Sequence, residues 1–190
     1  QRDAIRVSTL QDDAPHSDIE YHVTPVAQPD REAAIANLLR YRAEKKALVF
    51  CATRAAVNTL AARLGDRGFS VAALSGEMSQ KDRSQALQAM RDGKARVCVA
   101  TDVAARGIHV DDVDVVIQYD PPGDHKTYLH RAGRTARAGE SGLVVTLSLW
   151  DEELEIKRLQ KRIDCVMPIV EMFSNDNRLA DLTEWDPEAA

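Results

Sequence analysis

The chain holds 190 residues, 44% of them hydrophobic and 29% charged, with a formal net charge of -5. This length suits one domain that buries a continuous core without disulfides or metal, and no apolar run approaches the roughly 20 residues of a membrane span. The acidic balance excludes a protein that wraps DNA through bulk charge, while a local groove can still be basic.

The cysteines Cys51, Cys98 and Cys165 lie far apart with no C-x-x-C pair, and two of them sit inside apolar runs. They read as reduced thiols of a cytoplasmic protein rather than as a zinc site or a disulfide framework. The sequence opens on Gln1, and residues 1–17 lack the apolar stretch of a secretory signal. That segment is expected to be an extension or linker, and the chain a piece of a longer one.

In chain order, Ile19, Tyr21 and Val23 alternate with polar neighbours across 18–24, the period of a half-exposed strand at a sheet edge. Ile35, Leu38 and Leu39 recur at helical spacing within residues 30–45, and ALVFC at 47–51 is a short buried strand. Val57, Leu60, Ala61 and Leu64 form the stripe of a second helix, closed by Gly65 and Gly68 ahead of VAAL at 71–74. Ser79 and Asp82 offer a capping box to a third, which carries Ala86, Leu87 and Met90 and ends at Gly93 before RVCVA at 96–100. VDVVIQY at 113–119 and GLVVTLS at 142–148 are two further strands. The last helix, 151–162, opens with Asp151, Glu152 and Glu153 and closes with Lys157, Arg158, Lys161 and Arg162, which matches its macrodipole. A nucleic-acid patch is the other reading of that basic end. From 171 onward the tail is acidic.

Short apolar strands alternating with amphipathic helices predict an α/β fold, a three-layer αβα arrangement around a mostly parallel sheet. Ligands of such sheets sit beyond the carboxyl ends of the strands, which directs attention to the segments after 51, 74, 100, 119 and 148. Several hold unusual residues. HRAGRTARAG at 130–139 spaces Arg131, Arg134 and Arg137 three apart; on one helix this crowds three guanidinium groups within roughly a third of the circumference and calls for an anion. TDVAARGI places Thr101, Asp102 and an Arg106-Gly107 turn after a strand end, where a hydroxyl and backbone amides suit phosphate oxygens. Thr101 suits a helix N-cap as well. LSGEMSQKDR offers Gly76, Gln80 and Arg83, and FCATR offers Thr53 and Arg54.

Taken in order, these segments resemble the motifs of the C-terminal RecA-like domain of DEAD-box RNA helicases, over about residues 18–160. ALVFCATR is similar to motif IV, GEMSQKDR to the Q-x-x-R of motif IVa, ATDVAARGI to motif V, VIQYDPP to motif Va and HRAGRTAR to the H-R-x-G-R-x-x-R of motif VI. The resemblance implies a RecA-like fold and ATP as substrate, with Arg134 and Arg137 reaching its γ-phosphate across a cleft to an N-terminal RecA-like domain. Arginine fingers of this kind are worth about 10³ to 10⁵ in rate elsewhere in phosphoryl transfer. It further implies that Gln80, Asp102, Arg106, Asp120, His130, Arg131 and Gly133 organise the motifs or the interdomain contact. RNA would be gripped along its sugar-phosphate backbone, without base readout, by Thr53, Arg54, Gly76, Arg83, Thr101 and Gly107. Thr53 also fits a helix N-cap, and Arg83 also fits a solvated helix charge.

Two positions depart from the family pattern. His109 stands where motif V commonly has an Asp that touches the nucleotide ribose, and Ser75 stands where a His often precedes the motif IVa glycine. The sequence has no G-x-x-x-x-G-K-[ST] phosphate loop and no D-E-A-D segment to hold Mg²⁺. These belong to the N-terminal domain, so the chain by itself is expected not to hydrolyse ATP. The expected organisation is an extension at 1–17, the helicase C-terminal domain at 18–163 and an acidic extension at 164–190. The motor half of another superfamily 2 DNA helicase or translocase, and a non-catalytic RNA- or protein-binding module, remain the other readings.

Overall fold

A computed structural model describes residues 14–42, 45–106, 113–136 and 140–169. Six strands, β1 (Ile19–Val26), β2 (Ala47–Phe50), β3 (Val71–Leu74), β4 (Val97–Ala100), β5 (Val115–Gln118) and β6 (Gly142–Leu149), form one sheet in the order β1-β6-β5-β2-β4-β3. Every strand pairing is parallel, so the sheet is more uniform than the expected mostly parallel one.

The helices are α1 (Arg31–Tyr41), α2 (Arg54–Asp66), α3 (Gln80–Arg91), α4 (Asp102–Ala105), α5 (His125–Ala132) and α6 (Glu153–Ile163). Because successive side chains of a strand point to opposite faces, Leu48 and Phe50 of β2 pack on one side while Ala47, Val49 and Cys51 pack on the other. The first side is covered by α3 to α6 and the second by α1 and α2. Three layers result, as the pattern of short apolar strands requires.

The local signals explain where helices begin. Thr53, Ser79, Thr101 and Asp124 each stand in extended backbone and accept a hydrogen bond from the amide three residues on, which satisfies one of the orphan donors of α2, α3, α4 and α5. The Asp124 carboxyl is held below its ordinary range by hydrogen bonds from Thr127, first from its amide and then from its side chain. The last helix is entered through a 3-10 turn at Trp150–Glu152, so its α-helical part begins at Glu153 rather than 151.

Two expectations need correction. Strand β1 is not half-exposed: all of its residues except Glu20 are buried. The chain after α6 returns along its outer edge, where the Val23 amide donates to the Pro168 carbonyl at 3.0 Å and Val23 bridges Ile169. Tyr21 stacks on Tyr128 with ring centroids 6.4 Å apart, and the Tyr128 hydroxyl meets Thr146 Oγ1 at 2.9 Å and donates to Met167 Sδ at 3.5 Å. Burial pushes the Tyr128 phenol well above its ordinary value. Nothing local in 18–24 encodes a cover supplied from residue 167 onward.

The second correction concerns the arginine run, which does not lie on one helix. Helix α5 stops at Ala132 with Gly133 as its C-cap, Ala136 adopts a left-handed φ of 55°, and the Thr135 hydroxyl donates to the Asp114 carbonyl at 2.9 Å. The chain is thereby pulled back to the sheet, directly over Gly142. A Cβ on Gly142 would lie 2.6 Å from Thr135 Cγ2 and 2.7 Å from the Ala136 nitrogen, and a backbone atom cannot step aside cheaply. Gly142→Ala is expected to destabilise the domain by about 2–3 kcal/mol through overpacking. Urea denaturation checks this, and a midpoint equal to wild type would refute it.

Candidate functional site

The strand order brings the loops after β5, β2 and β4 together at the middle of the sheet's carboxyl edge. The centre of this edge is polar and largely buried. Arg131, 3% exposed, extends from α5 and forks onto Asp102, with Nε to Oδ1 and Nη2 to Oδ2 both at 2.7 Å. Its Nη1 donates to the Asp120 carbonyl at 2.7 Å and to Gln118 Oε1 at 3.3 Å, and its guanidinium carbon lies 5.0 Å from the Phe50 ring centroid. One side chain therefore joins the segments after β4 and β5 and the helix that carries it.

Asp120 is a second junction. Its Oδ2 accepts from the Ala52 amide at 2.9 Å, its own amide donates to the Phe50 carbonyl, and its Oδ1 accepts from Arg31 Nη2 at 2.6 Å. Next to it, Cys51 is buried, and burial with the nearby Asp120 charge raises its thiol to about 12. It stays protonated at neutral pH and is no nucleophile.

Around this centre lie the residues singled out in the sequence. Thr53 Oγ1 accepts from the Ala56 amide at 3.1 Å and Thr101 Oγ1 from the Ala104 amide at 3.3 Å. Both are N-caps, yet an accepting hydroxyl keeps its own proton for a further acceptor outside the helix. The two readings of these threonines are thus compatible. Arg54, the first residue of α2, pairs with Glu77 in the loop after β3, and in the same loop a Cβ on Gly76 would meet Val103 of α4 at 3.6 Å, an ordinary van der Waals separation. Gln80 begins α3 and is exposed. Arg83, one turn later, donates to the carbonyls of Ala104 at 2.7 Å and Arg106 at 3.2 Å, so its guanidinium spans from α3 to the end of α4 instead of standing as a solvated charge.

Arg134 is placed differently from the rest. It lies in the turn after α5 beside Val113, Asp114, Glu140 and Ser141, which precede β5 and β6. That is the amino edge of the sheet, so the rule that ligands gather at carboxyl ends does not reach it. His130 is exposed on the last turn of α5 and Gly133 caps it. Gly107, His109 and Arg137 lie outside the described residues, as do most of 1–17 and 164–190.

The basic end of α6 carries internal pairs, Lys157 with Glu153 and Arg158 with Glu155, both at 2.5 Å. Among the described residues there is no group of three or more His, Cys, Asp or Glu side chains that could hold a metal ion. No described helix is long and apolar enough to cross a membrane.

Residues 30–139, which include both edges, match the helicase conserved C-terminal domain family. The chain belongs to that family. Its relatives place it in the DEAD-box branch: it is 34% identical over 176 residues to the DEAD-box ATP-dependent RNA helicase RhpA of Helicobacter pylori, covering 92% of this chain and 36% of that protein. A DEAD box protein from the hyperthermophile Methanococcus jannaschii superposes with a TM-score of 0.74 at 33% identity, over 82% of this chain and 42% of that one. The E. coli DEAD-box protein SrmB, solved bound to regulator of ribonuclease activity A, gives 0.76 at 33% identity, over 85% and 93%. The DEAD-box domain spans about a third of the length of the curated relatives it matches.

Two members of the polar centre escaped motif reading. Gln118 is wholly buried, takes a bond from Arg131 and donates to the Tyr128 carbonyl at 3.4 Å; a glutamine closing the apolar run VVIQ was its signal. Arg31 carried only a weak one, a basic residue in the first turn of a helix, where the macrodipole favours acidic side chains.

Proposed function

We propose that this DEAD-box domain is the second RecA-like half of an ATP-dependent RNA helicase, supplying Arg134 and Arg137 to ATP hydrolysis and half of an RNA backbone-binding surface that unwinds short duplexes. The observation that carries the reading is the placement of α5. Its Arg131 is locked into the carboxyl edge, where Thr53, Arg54, Gly76 and Thr101 gather, and three residues later Arg134 emerges at the opposite edge. A single short helix thus joins the RNA-facing loops to the catalytic arginine, the coupling an RNA-stimulated ATPase needs.

On the RNA side, the Thr53 and Thr101 hydroxyls donate to phosphate oxygens while their lone pairs stay on the helix amides. Arg54 exchanges its pairing with Glu77 for a phosphate, and Gly107 extends the same track. Arg83 holds the motif V carbonyls at the right height for that contact. None of these groups reads a base edge, so the grip follows backbone shape and 2′-hydroxyls. On the ATP side, a planar guanidinium stabilises charge on the transferred γ-phosphoryl group. His109 occupies the motif V position of the usual ribose-contacting carboxylate, and Asp102, Arg106, Gln80, His130 and Gly133 keep the two sides in register. The N-terminal domain of the same protein supplies the phosphate loop and the carboxylates for Mg²⁺, and a cytoplasmic location belongs to this reading.

The test is steady-state ATP hydrolysis by the complete protein carrying this chain, with RNA, with DNA and with neither. Stimulation by RNA alone is expected. Equal stimulation by DNA would replace the RNA assignment with a DNA translocase, and RNA affinity without turnover would point to a binding module. Turnover by the 190-residue chain alone would refute its being half of an enzyme.

A further inference from the structure

The geometry points to Arg31 as a positioning residue for the RNA-facing loop at 51–54, an inference that rests on the function proposed above. Arg31 opens α1, in the layer opposite α5, and 13% of its side chain is exposed. Its Nη2 donates to Asp120 Oδ1 at 2.6 Å and to the Tyr119 carbonyl, and its guanidinium carbon sits 3.9 Å over the Tyr119 ring. Stacking and hydrogen bonding together leave the group one orientation.

The consequence passes through Asp120. That carboxylate is 24% exposed and holds the Ala52 amide with its other oxygen. Arg131 neutralises Asp102 instead, reaching Asp120 only at its carbonyl. Arg31 is therefore the side chain that pairs with the Asp120 carboxylate and aims it. Ala52 in turn precedes Thr53 and Arg54, and the backbone of this loop is otherwise anchored by the Cys51 amide on Ala100 and by the start of α2. Remove Arg31 and Asp120 turns toward water, the Ala52 amide loses its acceptor, and the Thr53 hydroxyl and Arg54 lose their fixed places. Arg31 itself touches neither RNA nor nucleotide in this scheme.

The experiment is ATPase of the complete protein as a function of RNA concentration, wild type against Arg31→Ala and Arg31→Lys, with amide hydrogen exchange of the 190-residue chain alongside. Arg31→Ala is expected to raise the RNA concentration for half-maximal stimulation about five- to tenfold, the loss of one charge-assisted hydrogen bond. The turnover at saturating RNA and the KM for ATP stay within about twofold, because the lost contact lies on the RNA side. Arg31→Lys recovers part of the shift, since it keeps the charge and loses the stack. Exchange at Ala52 and Thr53 quickens while that of the β4 strand does not. A merely structural role would lower the melting temperature and leave the half-saturation point in place, which overturns the inference, as does unchanged exchange at Ala52. Should Arg31→Ala not fold at the assay temperature, Arg31→Gln, which keeps a donor without the charge, must still shift half-saturation, and no shift overturns it equally. Failure of the wild type to respond to RNA is a separate result that removes the proposed function and this inference with it.

Discussion

Arg131→Ala is expected to cost the domain about 3–5 kcal/mol of folding stability, the range for breaking a buried ion pair from one side. The residue is 3% exposed and satisfies both Asp102 oxygens, the Asp120 carbonyl and Gln118. Alanine leaves all of these acceptors behind in a site that water reaches only partly, past Asp102 and Asp120. Against a total of roughly 5–15 kcal/mol for a natural domain this is a large fraction, and the melting temperature should fall by about 10 °C. Arg131→Lys keeps the charge and loses the planar fork, so about half the loss is expected. A double-mutant cycle with Asp102→Ala should return a coupling of about 2 kcal/mol or more, since the two side chains share two hydrogen bonds. Urea denaturation of the 190-residue chain measures the wild type and all four variants. A shift below about 1 kcal/mol for Arg131→Ala would mean that the fork is incidental.

Arg134→Ala should behave in the opposite way, with the fold kept and the chemistry lost. Arg134 lies past the end of α5, beside Asp114 and Glu140, in a partly exposed turn that Gly133, Thr135 and Ala136 tie to the sheet. Its removal should change stability by no more than about 1 kcal/mol. In the complete protein, RNA-stimulated turnover should drop by about 10³ or more, the lower bound for an arginine finger, while the RNA concentration for half-maximal stimulation moves little. Arg134→Lys should not restore it, because an ammonium is a point charge without the fork. Turnover within tenfold of wild type would remove Arg134 from the catalytic role and leave the γ-phosphate to other groups. Together the two substitutions separate what the arginine run does for the fold from what it does for the reaction.

That division is the clearest case of what sequence spacing leaves open. Three arginines at intervals of three look equivalent on paper, and helical geometry would stack them on one face. In the fold they part: Arg131 ends up inside the carboxyl edge and Arg134 at the amino edge, because Gly133 stops α5 and the Thr135 hydroxyl ties the next residues to Asp114. A similar limit applies to β1, whose alternating pattern suggests one wet face, whereas Pro168 and Met167 arrive from more than a hundred residues away to cover it. Gln118 and Arg31 show the same thing at the site, since their partners are side chains and carbonyls fixed only once the sheet is assembled.

By itself the sequence determined the α/β class, the positions of the strands and of the four longer helices to within a few residues, Thr53, Ser79 and Thr101 as suitable helix starts, and the order of motifs that marks the family. These are consequences of near-neighbour chemistry: period, cap and turn act over three or four residues and need no partner elsewhere. Only the tertiary structure decided at which edge Arg131 and Arg134 stand, which carboxylate neutralises which guanidinium, and that Asp120 is shared between Arg31, Ala52 and Arg131. Such pairings are set by the order β1-β6-β5-β2-β4-β3, which brings the ends of distant strands within hydrogen-bond reach, and a charge inside that edge takes whichever partner the sheet delivers.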